Sequence, residues 1–431
     1  MNHSLPGPDD ITRAALPNGI TLLARPNFNS PSVVISGYLH TGSLYEPDEK
    51  LGLANFAAAA LMHGTANHAH QELFDLLETA GASLGFDAGA HTTGFGGRAL
   101  SEDLDLLLDL AAECLRHPTF PLDEVERLRA QILTGLALRD QDPDSVASLT
   151  FDKLVYDSHP YSRADEGEPH TIQAITRDDL IAFHERTFGP RGIVLAIVGS
   201  VDPARAVEKV VRAFGAWVNP HQPEIATLPD LPPLKASKRQ HVFIPGKSQT
   251  SLVMGVAGPA RNTPGYLAAS LGNNILGQFG MSGRIGEVVR EEAGLAYYAF
   301  SSLGGGTGPG PWLAAAGVAP ADVDEAIELI QDEIARFVTD GITEEELADS
   351  KANYIGRLPL SLESNTGVTG ALINIQKYGL GLDYYWTYAD RINAITREEV
   401  VEVARRYLDV GRMGVASAGP EIEVRGKSKN T

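Results

Sequence analysis

The chain has 431 residues, too many for one ordinary hydrophobic core, so we expect two domains of about 200 residues each. Its composition of 43% hydrophobic and 21% charged residues is typical of a folded globular protein and argues against disorder. A formal net charge of −20 makes nucleic acids and anionic membranes unfavourable partners and is compatible with basic or neutral peptides.

The single cysteine and the hydropathy of the chain exclude further classes of protein. Cys114 is the single cysteine, so an internal disulfide and a cysteine-based zinc site are excluded, and we predict that this thiol is buried as a small hydrophobe. The first residues show neither a secretion signal nor an Arg-rich presequence, and no run of about 18 apolar residues could span a membrane. We therefore expect a cytoplasmic protein.

Strand patterns recur in both halves of the chain. In chain order, the predicted strands lie at residues 20–24, 33–39, 82–86, 193–198, 241–244, 251–256, 295–300 and 312–318. Helical patterns fall between them, but some strands follow each other directly, which favours an α+β fold over a strictly alternating parallel one. We predict mostly antiparallel sheets packed with helices.

The two halves are copies of one unit. Residues 172–188 and 392–408 share six of 17 positions at a constant offset of 220, and each segment leads into an apolar strand. Thr176 and Thr396 each precede an acidic residue by three positions, which predicts two equivalent capping boxes. More loosely, residues 73–81 parallel 286–294, each a helix closed by glycine.

The duplication predicts the domain boundaries. Residues 218–235 contain five prolines and no periodicity, as expected of a linker. We predict an N-terminal domain at 1–217, this linker, and a homologous C-terminal domain at 236–431. A concave surface between two such halves is a plausible ligand site.

Residues 41–65 carry a resemblance to a known family. They read TGSLYEPDEKLGLANFAAAALMHGT, with a Gly-Ser, a Glu-Pro turn, a Gly-Leu, a helix and a Gly-Thr. This arrangement resembles the insulinase-type (M16) peptidases, and the resemblance extends over nearly the whole chain. In that family the helix carries H-x-x-E-H, in which two histidines hold Zn²⁺ and the glutamate is the general base, and a later helix supplies a third ligand.

The resemblance implies that this chain lacks the family's zinc site. The two histidines and the glutamate of the motif fall on Asn55, Ala59 and Ala58, and the distant glutamate falls on Gly135. Alanine and glycine have no donor atom, and an Asn amide is a poor substitute for imidazole. We therefore predict no metal and no cofactor in this chain, with zinc expected only in a homologous partner that has kept H-x-x-E-H.

Other histidines offer no obvious replacement site. His63, His68 and His70 follow the degenerate helix at a spacing that is neither helical nor strand-like, with no adjacent acidic residue, and we interpret them as solvated loop histidines. For His159 we expect a packing role in a loop.

The second half keeps the family's other signature. Residues 283–301 read GRIGEVVREEAGLAYYAFS, an R-x₆-Y pattern in which the resemblance assigns catalytic roles to Arg290 and Tyr297. In the family this pair points at the substrate and stabilises the polarised carbonyl, as an oxyanion hole does. The plainer alternatives are a surface salt bridge for Arg290 and strand packing for Tyr297. The equivalent positions of the first half are Leu77 and Leu84, so the duplication itself does not require an Arg and a Tyr.

A glycine-rich segment follows the signature. Gly304, Gly305 and Gly306 lead the run GGGTGPGP, where an edge strand could accept an extended peptide by β-addition, so we predict that they bind substrate. A flexible hairpin loop is the alternative.

These residues predict a non-catalytic subunit of a heterodimeric M16 metallopeptidase that contributes Arg290 and Tyr297 to a partner with H-x-x-E-H and acts on peptides. Two alternatives of other classes are a peptide-binding or chaperone-like protein and a structural scaffold without peptidase activity. A third is an autonomous enzyme with a new metal site, which metal analysis of the isolated chain would detect.

Overall fold

The computed structural model describes residues 5–278 and 283–422, which form two compact units. The first unit comprises the described residues up to Leu136 together with Ala164–Thr227 and Arg357–Tyr388. The second comprises Ala137–Arg163, Leu228–Gly356 and the described residues from Ala389 onward. Each unit therefore includes a segment from the other half of the sequence. The predicted domain boundaries at residues 217 and 236 are the boundaries of the two sequence repeats, and they stay a prediction.

Each unit contains one sheet. The strands of the first unit are β1 (Thr12–Ala15), β2 (Thr21–Pro26), β3 (Ser32–Leu39), β4 (Ser83–Ala88), β5 (Thr93–Leu100) and β6 (Val194–Gly199). Those of the second are β7 (Lys238–Phe243), β8 (Thr250–Ala257), β9 (Ala296–Leu303), β10 (Pro311–Val318) and β11 (Gly414–Gly419).

Helices fill the intervals between the strands. In the first half of the sequence they are α1 (Leu53–Ala60), α2 (His70–Thr79), α3 (Leu104–Arg116), α4 (Leu122–Arg139), α5 (Pro143–Tyr156), α6 (Pro169–Ala174), α7 (Arg177–Thr187) and α8 (Pro203–Phe214). In the second half they are α9 (Tyr266–Asn273), α10 (Arg284–Gly286), α11 (Val323–Thr339), α12 (Glu344–Ser361), α13 (Asn365–Lys377), α14 (Tyr388–Ala394) and α15 (Arg397–Tyr407), with π-helical turns at Asn274–Gln278 and Glu287–Glu292. None of the described helices is long and apolar enough to cross a membrane.

The two sheets share one topology. Their strand orders are β1-β2-β6-β3-β5-β4 and β7-β11-β8-β10-β9, so that apart from β1 each strand of one sheet has a counterpart in the other. Within the described residues each sheet has one parallel pair, and the two are equivalent, β2 with β6 and β7 with β11; the other pairs are antiparallel. This agreement confirms the predicted α+β fold built from a duplicated unit.

Equivalent helix caps and helix-closing glycines occur in both repeats. Thr176 caps α7 through the Asp179 amide, and Thr396 caps α15 through the Glu399 amide, each as a full capping box. Gly81 and Gly294, which close the looser pair of equivalent segments, have φ of 60° and 65°, a left-handed conformation that glycine adopts without a Cβ clash.

One helix of each sequence half packs on the sheet of the other half. Helix α5 contributes Ala147, Phe151, Val155 and Tyr156 to a buried cluster on the second sheet, with Ile244, Val253, Ala315, Ala416 and Ala418. Helix α13 makes the equivalent cluster on the first sheet, where Val368, Ala371, Leu372 and Ile375 cover Ile11, Leu23, Ala196 and Val198. The opposite face of the first sheet forms the large core with α1, α3, α7 and α8, in which Cys114 is buried as predicted. Both faces of this sheet are therefore covered.

The eight strands predicted with bounds are all present, and β11 is the apolar strand predicted after residues 392–408, but two further described strands, β1 and β5, were missed. Strand β1 is a short, largely exposed edge strand with no apolar alternation. Strand β5 contains Gly94, Gly96 and Gly97, and glycine is depleted in strands. A Cβ at Gly97 would lie 2.4 Å from the Ser83 carbonyl oxygen, so the glycine is required by the close approach of β4.

The proline-rich segment 218–235 contains neither helix nor strand, and its role as a linker stays a prediction. Its first part is nevertheless fixed to the first unit. The Ala226 amide donates to the Tyr45 hydroxyl at 2.9 Å, and the Arg191 guanidinium donates to the carbonyls of Gln222 and Pro223.

The buried cluster between α5 and the second sheet should contribute measurably to the free energy of unfolding. Replacing Phe151, which is 1% exposed, by alanine should leave a cavity and destabilise the second unit by about 3–5 kcal/mol. The same deletion at Phe243 on β7, which is 56% exposed, should cost less than about 1 kcal/mol. Urea denaturation followed by circular dichroism measures both, and similar midpoints for the two variants would contradict the packing role of α5.

Candidate functional site

Helix α1 contains the residues that the resemblance aligns with the H-x-x-E-H helix of M16 peptidases. It begins after Gly52, whose φ of 92° turns the chain sharply into the helix. The buried Glu46 carboxylate accepts hydrogen bonds from the amides of Gly52 at 3.0 Å and Ala54 at 2.8 Å. A carboxylate at a helix N-terminus satisfies otherwise unpaired amides and opposes the positive end of the helix dipole. The Glu-Pro turn of the sequence thus fixes where α1 starts.

The four positions of the degenerate motif do not fit a zinc ion. Asn55 uses its side-chain amide to donate to the Ala88 carbonyl of β4 at 3.2 Å. Ala58 is buried, Ala59 is half-buried, and neither has a ligand atom. Gly135 lies exposed on α4, and no atom stands within 4 Å of where its Cβ would be. With no imidazole, thiolate or carboxylate at these positions, the donor set that tetrahedral zinc requires is missing.

Arg290 lies in the π-helical turn Glu287–Glu292. Its side chain is 37% exposed, and its guanidinium Nε stands 3.6 Å from the Glu291 carboxylate. That pair is loose and lies at the surface, so it contributes little to stability. Turns of π-helix are frequent at functional sites. The salt bridge anticipated as an alternative exists, but it leaves most of the guanidinium's donors for other partners.

Tyr297 lies at a β-bulge on the edge strand β9. Ala296 pairs with Val318 and Tyr298 with Gly317, so Tyr297 is the extra residue between the two pairs. Bulges commonly redirect a side chain beside a functional site. Tyr297 is 76% exposed, and within the described part of the chain no hydrogen bond to its hydroxyl is found.

Tyr298, the next residue, has a different role. Its hydroxyl donates to the Asp144 carboxylate of α5 at 2.5 Å, and its ring packs against Phe300. Burial, together with the neighbouring Asp144 carboxylate, raises the pKa of Tyr298 to about 12. Of the two adjacent tyrosines, Tyr298 is therefore structural, and Tyr297 is the one available to a ligand.

The first unit contains a strand, β4, that corresponds to β9 but has no predicted catalytic residue. Strand β4 has the same place in its sheet as β9, but the equivalence of Leu84 and Tyr297 expected from the sequence does not hold in the register: Leu84 pairs with Gly97, and β4 has no counterpart of the bulge that contains Tyr297. Leu84 packs against the large core of the first unit. A bulge with a hydroxyl-bearing, exposed side chain is therefore not required by the fold.

The three predicted substrate-binding glycines close the hairpin between β9 and β10. The Gly304 amide donates to the Pro311 carbonyl at 2.7 Å, and the Gly306 carbonyl accepts from the Arg261 amide at 2.9 Å. A Cβ at Gly305 would lie 2.3 Å from the Tyr266 hydroxyl. These contacts give the glycines a packing role and use backbone groups that a peptide would need, whereas the outer edge of β9 has no neighbouring strand in this sheet. Peptide binding at these glycines stays a prediction.

The interpretation of the three histidines as solvated is wrong. His63 lies 3.0 Å from the Glu124 carboxylate, and its ring stacks on that of His70 with centroids 4.4 Å apart. His68 pairs with Glu113 at 3.1 Å. Burial lowers the pKa of His63, although its hydrogen bond to the Glu124 carboxylate acts in the opposite direction. The acidic partners are 45 or more residues away in sequence, so no local spacing could have revealed them. His159, by contrast, is buried and accepts from the Tyr161 amide, the packing role expected.

Comparison with known proteins identifies the family. Residues 23–164 match the family described as Insulinase (Peptidase family M16), and residues 174–354 match the one described as Peptidase M16 inactive domain. Together these matches cover most of the sequence, including α1, Arg290 and Tyr297. The chain belongs to the M16 family.

Relatives are similar over almost their full length. A Mycobacterium leprae protein named as an uncharacterized zinc protease is 29% identical, with 95% of this chain and 92% of that protein aligned. One from Streptomyces coelicolor with the same description is 26% identical over 92% of this chain and 87% of that protein. The crystal structure of a peptidase M16 inactive domain from Pseudomonas fluorescens has a TM-score of 0.90 at 29% identity, covering 96% of this chain and 99% of that one. A protease from Helicobacter pylori shares the fold, with a TM-score of 0.89 at 21% identity over 96% of this chain and 100% of that one.

The exposure of the Arg–Tyr pair predicts that its removal leaves the fold intact. Tyr297→Phe and Arg290→Ala should each change the free energy of unfolding by less than about 0.5 kcal/mol, because exposed side chains with few contacts contribute little. Tyr298→Phe is the matched control: it removes the hydrogen bond to Asp144 and should cost about 1 kcal/mol. Thermal unfolding of the three variants measures this. A larger loss for Tyr297→Phe than for Tyr298→Phe would assign Tyr297 to packing.

Proposed function

We propose that this chain is a non-catalytic subunit of an M16 metallopeptidase. It pairs with a homologous chain that carries H-x-x-E-H, and it supplies Arg290 and Tyr297 to the site at which peptides are cleaved. The chain itself holds no catalytic zinc, and the cytoplasm is the proposed compartment.

One contrast carries this proposal. Every zinc-site position has lost its ligand, from Asn55 on α1 to Gly135 on α4. Arg290 and Tyr297 are retained on irregular backbone, a π-helical turn and a bulge, where Tyr297 is exposed and Arg290 is partly exposed. The fold does not require an exposed phenol on a bulge, because the corresponding edge strand of the first sheet, β4, pairs with β5 without a bulge.

The chemistry of the pair suits a developing negative charge. Attack on a peptide carbonyl puts charge on the carbonyl oxygen, and preorganised donors aimed at that oxygen lower the barrier. The Tyr297 O–H supplies one donor. The Arg290 guanidinium supplies a planar set of N–H groups and a permanent positive charge, which lysine cannot reproduce in geometry.

The relatives support the general class. Proteins of this length in mycobacteria and in Streptomyces are named zinc proteases, and one solved relative is described as a peptidase M16 inactive domain. A family that includes chains under both descriptions is compatible with a division of labour between a chain that holds the metal and one that does not.

The experiment is a reconstitution. The chain is co-expressed with a homologue from the same genome that carries H-x-x-E-H, and the purified complex is assayed on a library of quenched fluorescent peptides. We expect cleavage by the complex and by neither the isolated chain nor a complex treated with a chelator. In the complex, Tyr297→Phe should lower kcat/KM on the order of 10²-fold, the usual loss for one oxyanion donor.

Tyr298→Phe is again the control, because it changes a neighbouring tyrosine by the same single atom and should leave kcat/KM within about twofold at a temperature where the variant is folded. An unchanged kcat/KM in Tyr297→Phe would refute the role of the pair. A stable complex without peptidase activity would favour the scaffold alternative, and peptide binding by the isolated chain without any such partner would favour the peptide-binding one.

A further inference from the structure

The loop between α1 and α2 brings two histidines together. Gly64 and Ala69 form an isolated antiparallel bridge, which places the residues flanking it, His63 and His70, opposite each other. Cross-strand neighbours in such a pair lie about 5 Å apart, and the two imidazole rings are stacked with an angle of 11° between their planes. Their approach is thus fixed by the backbone.

A carboxylate completes the group. Glu124 stands in the first turn of α4, where its side chain is only 11% exposed, and its Oε2 lies 3.0 Å from His63 Nδ1. The segment before α4 is attached to the same loop, since the Thr119 amide donates to the Gly64 carbonyl at 3.0 Å and Thr65 bridges to Pro118. One ligand atom from each of His63, His70 and Glu124 lies within 4.8 Å of the others, the one such trio within the residues that the structure describes.

From this geometry we infer a binding site for a zinc-class divalent ion formed by His63, His70 and Glu124. Two imidazoles and one carboxylate are a donor set typical of Zn²⁺, with a fourth position left for water. At metal–ligand bonds of about 2.0–2.2 Å in a tetrahedral site, ligand atoms stand roughly 3.3 Å apart. The His63–Glu124 separation is already close to that spacing, and a ligand atom of His70 lies within 4.8 Å of both.

The surroundings of the trio support this assignment. The His70 Nδ1 lies 2.9 Å from the Met62 carbonyl, so Nδ1 carries the proton and Nε2 keeps the lone pair that a metal needs; such a contact orients a ligand histidine. Phe74 packs edge-on against the same ring at 4.9 Å. Both histidines are only half-buried, which leaves a path for an ion to enter.

Arg127 is the one cation at the site among the contacts that are described. Its guanidinium Nη1 stands 3.0 Å from Glu124 Oε1 and 3.3 Å from Oε2, and its side chain is 56% exposed. An ion bound at Oε2 competes with that second contact, and the charge of Arg127 opposes a second cation nearby. Removing it should therefore tighten metal binding.

The site would stabilise the fold and does not depend on the proposed function. A bound ion connects the turn after α1, the first residue of α2 and the first turn of α4, three separate elements of the first unit. Its ligands share no residue with the degenerate motif at Asn55, Ala58, Ala59 and Gly135.

Titration of the purified, chelator-treated chain with Zn²⁺ tests the inference. We expect one equivalent to bind, and saturation to raise the thermal midpoint by about 5 °C. His63→Ala, His70→Ala and Glu124→Gln should each weaken binding at least about tenfold, and Arg127→Ala should strengthen it. Mg²⁺, which prefers oxygen ligands, should not compete.

His68→Ala is the matched control, because His68 also pairs with a glutamate, Glu113, but has no second imidazole. Its affinity for Zn²⁺ should stay within about twofold of the unmodified chain. Cobalt replacing zinc gives a direct readout, since a tetrahedral site with His and carboxylate ligands produces intense visible absorption that His70→Ala should abolish. No bound equivalent, or affinity unchanged in His70→Ala while circular dichroism shows a folded variant, would overturn the inference.

Discussion

The packing of α5 and α13 is the interaction on which the rest of the structure depends. Each helix covers one face of a sheet that belongs, in sequence, to the other repeat. A sheet face lined by Val, Ile and Ala side chains is stable only when it is removed from water. Since each sheet obtains that cover from the opposite half of the chain, neither half of the sequence supplies all of its own core. Each unit is therefore completed by a helix from the other half of the sequence, and the two halves of the sequence are not independent domains.

This packing also fixes the candidate site of the second unit. Asp144, at the start of α5, accepts a hydrogen bond from Tyr298 and another from Ser251. The contact holds one tyrosine of β9 toward the helix, and the bulge turns the other, Tyr297, outward. The same helix that closes the core thus decides which of two adjacent phenols is available for chemistry. In the first unit the corresponding strand, β4, has a continuous register with β5 and no such bulge.

The local features of the sequence were predicted well because they arise from short-range physics. Capping boxes at Thr176 and Thr396 depend on residues three positions apart, and the apolar runs that became β3, β6, β8 and β10 depend on burial within a few residues. The missing zinc ligands were visible for the same reason, since a side chain without a donor atom lacks one in any fold. Strand β5 was not predicted because it is rich in glycine. Its Gly97 is needed where β4 approaches closely, and β4 becomes its neighbour only in the folded sheet.

The sequence by itself determined the family, the duplication, the identity of Arg290 and Tyr297, and the lack of an imidazole or carboxylate at residues 55, 58, 59 and 135, all of which are properties of residue types at given positions. The tertiary structure alone decided which helix covers which sheet and that Tyr297 rather than Tyr298 is exposed. It also decided that His63 and His70 meet Glu124. These outcomes depend on contacts between residues far apart along the chain, and such contacts follow from the burial of whole faces, which no short stretch of sequence specifies.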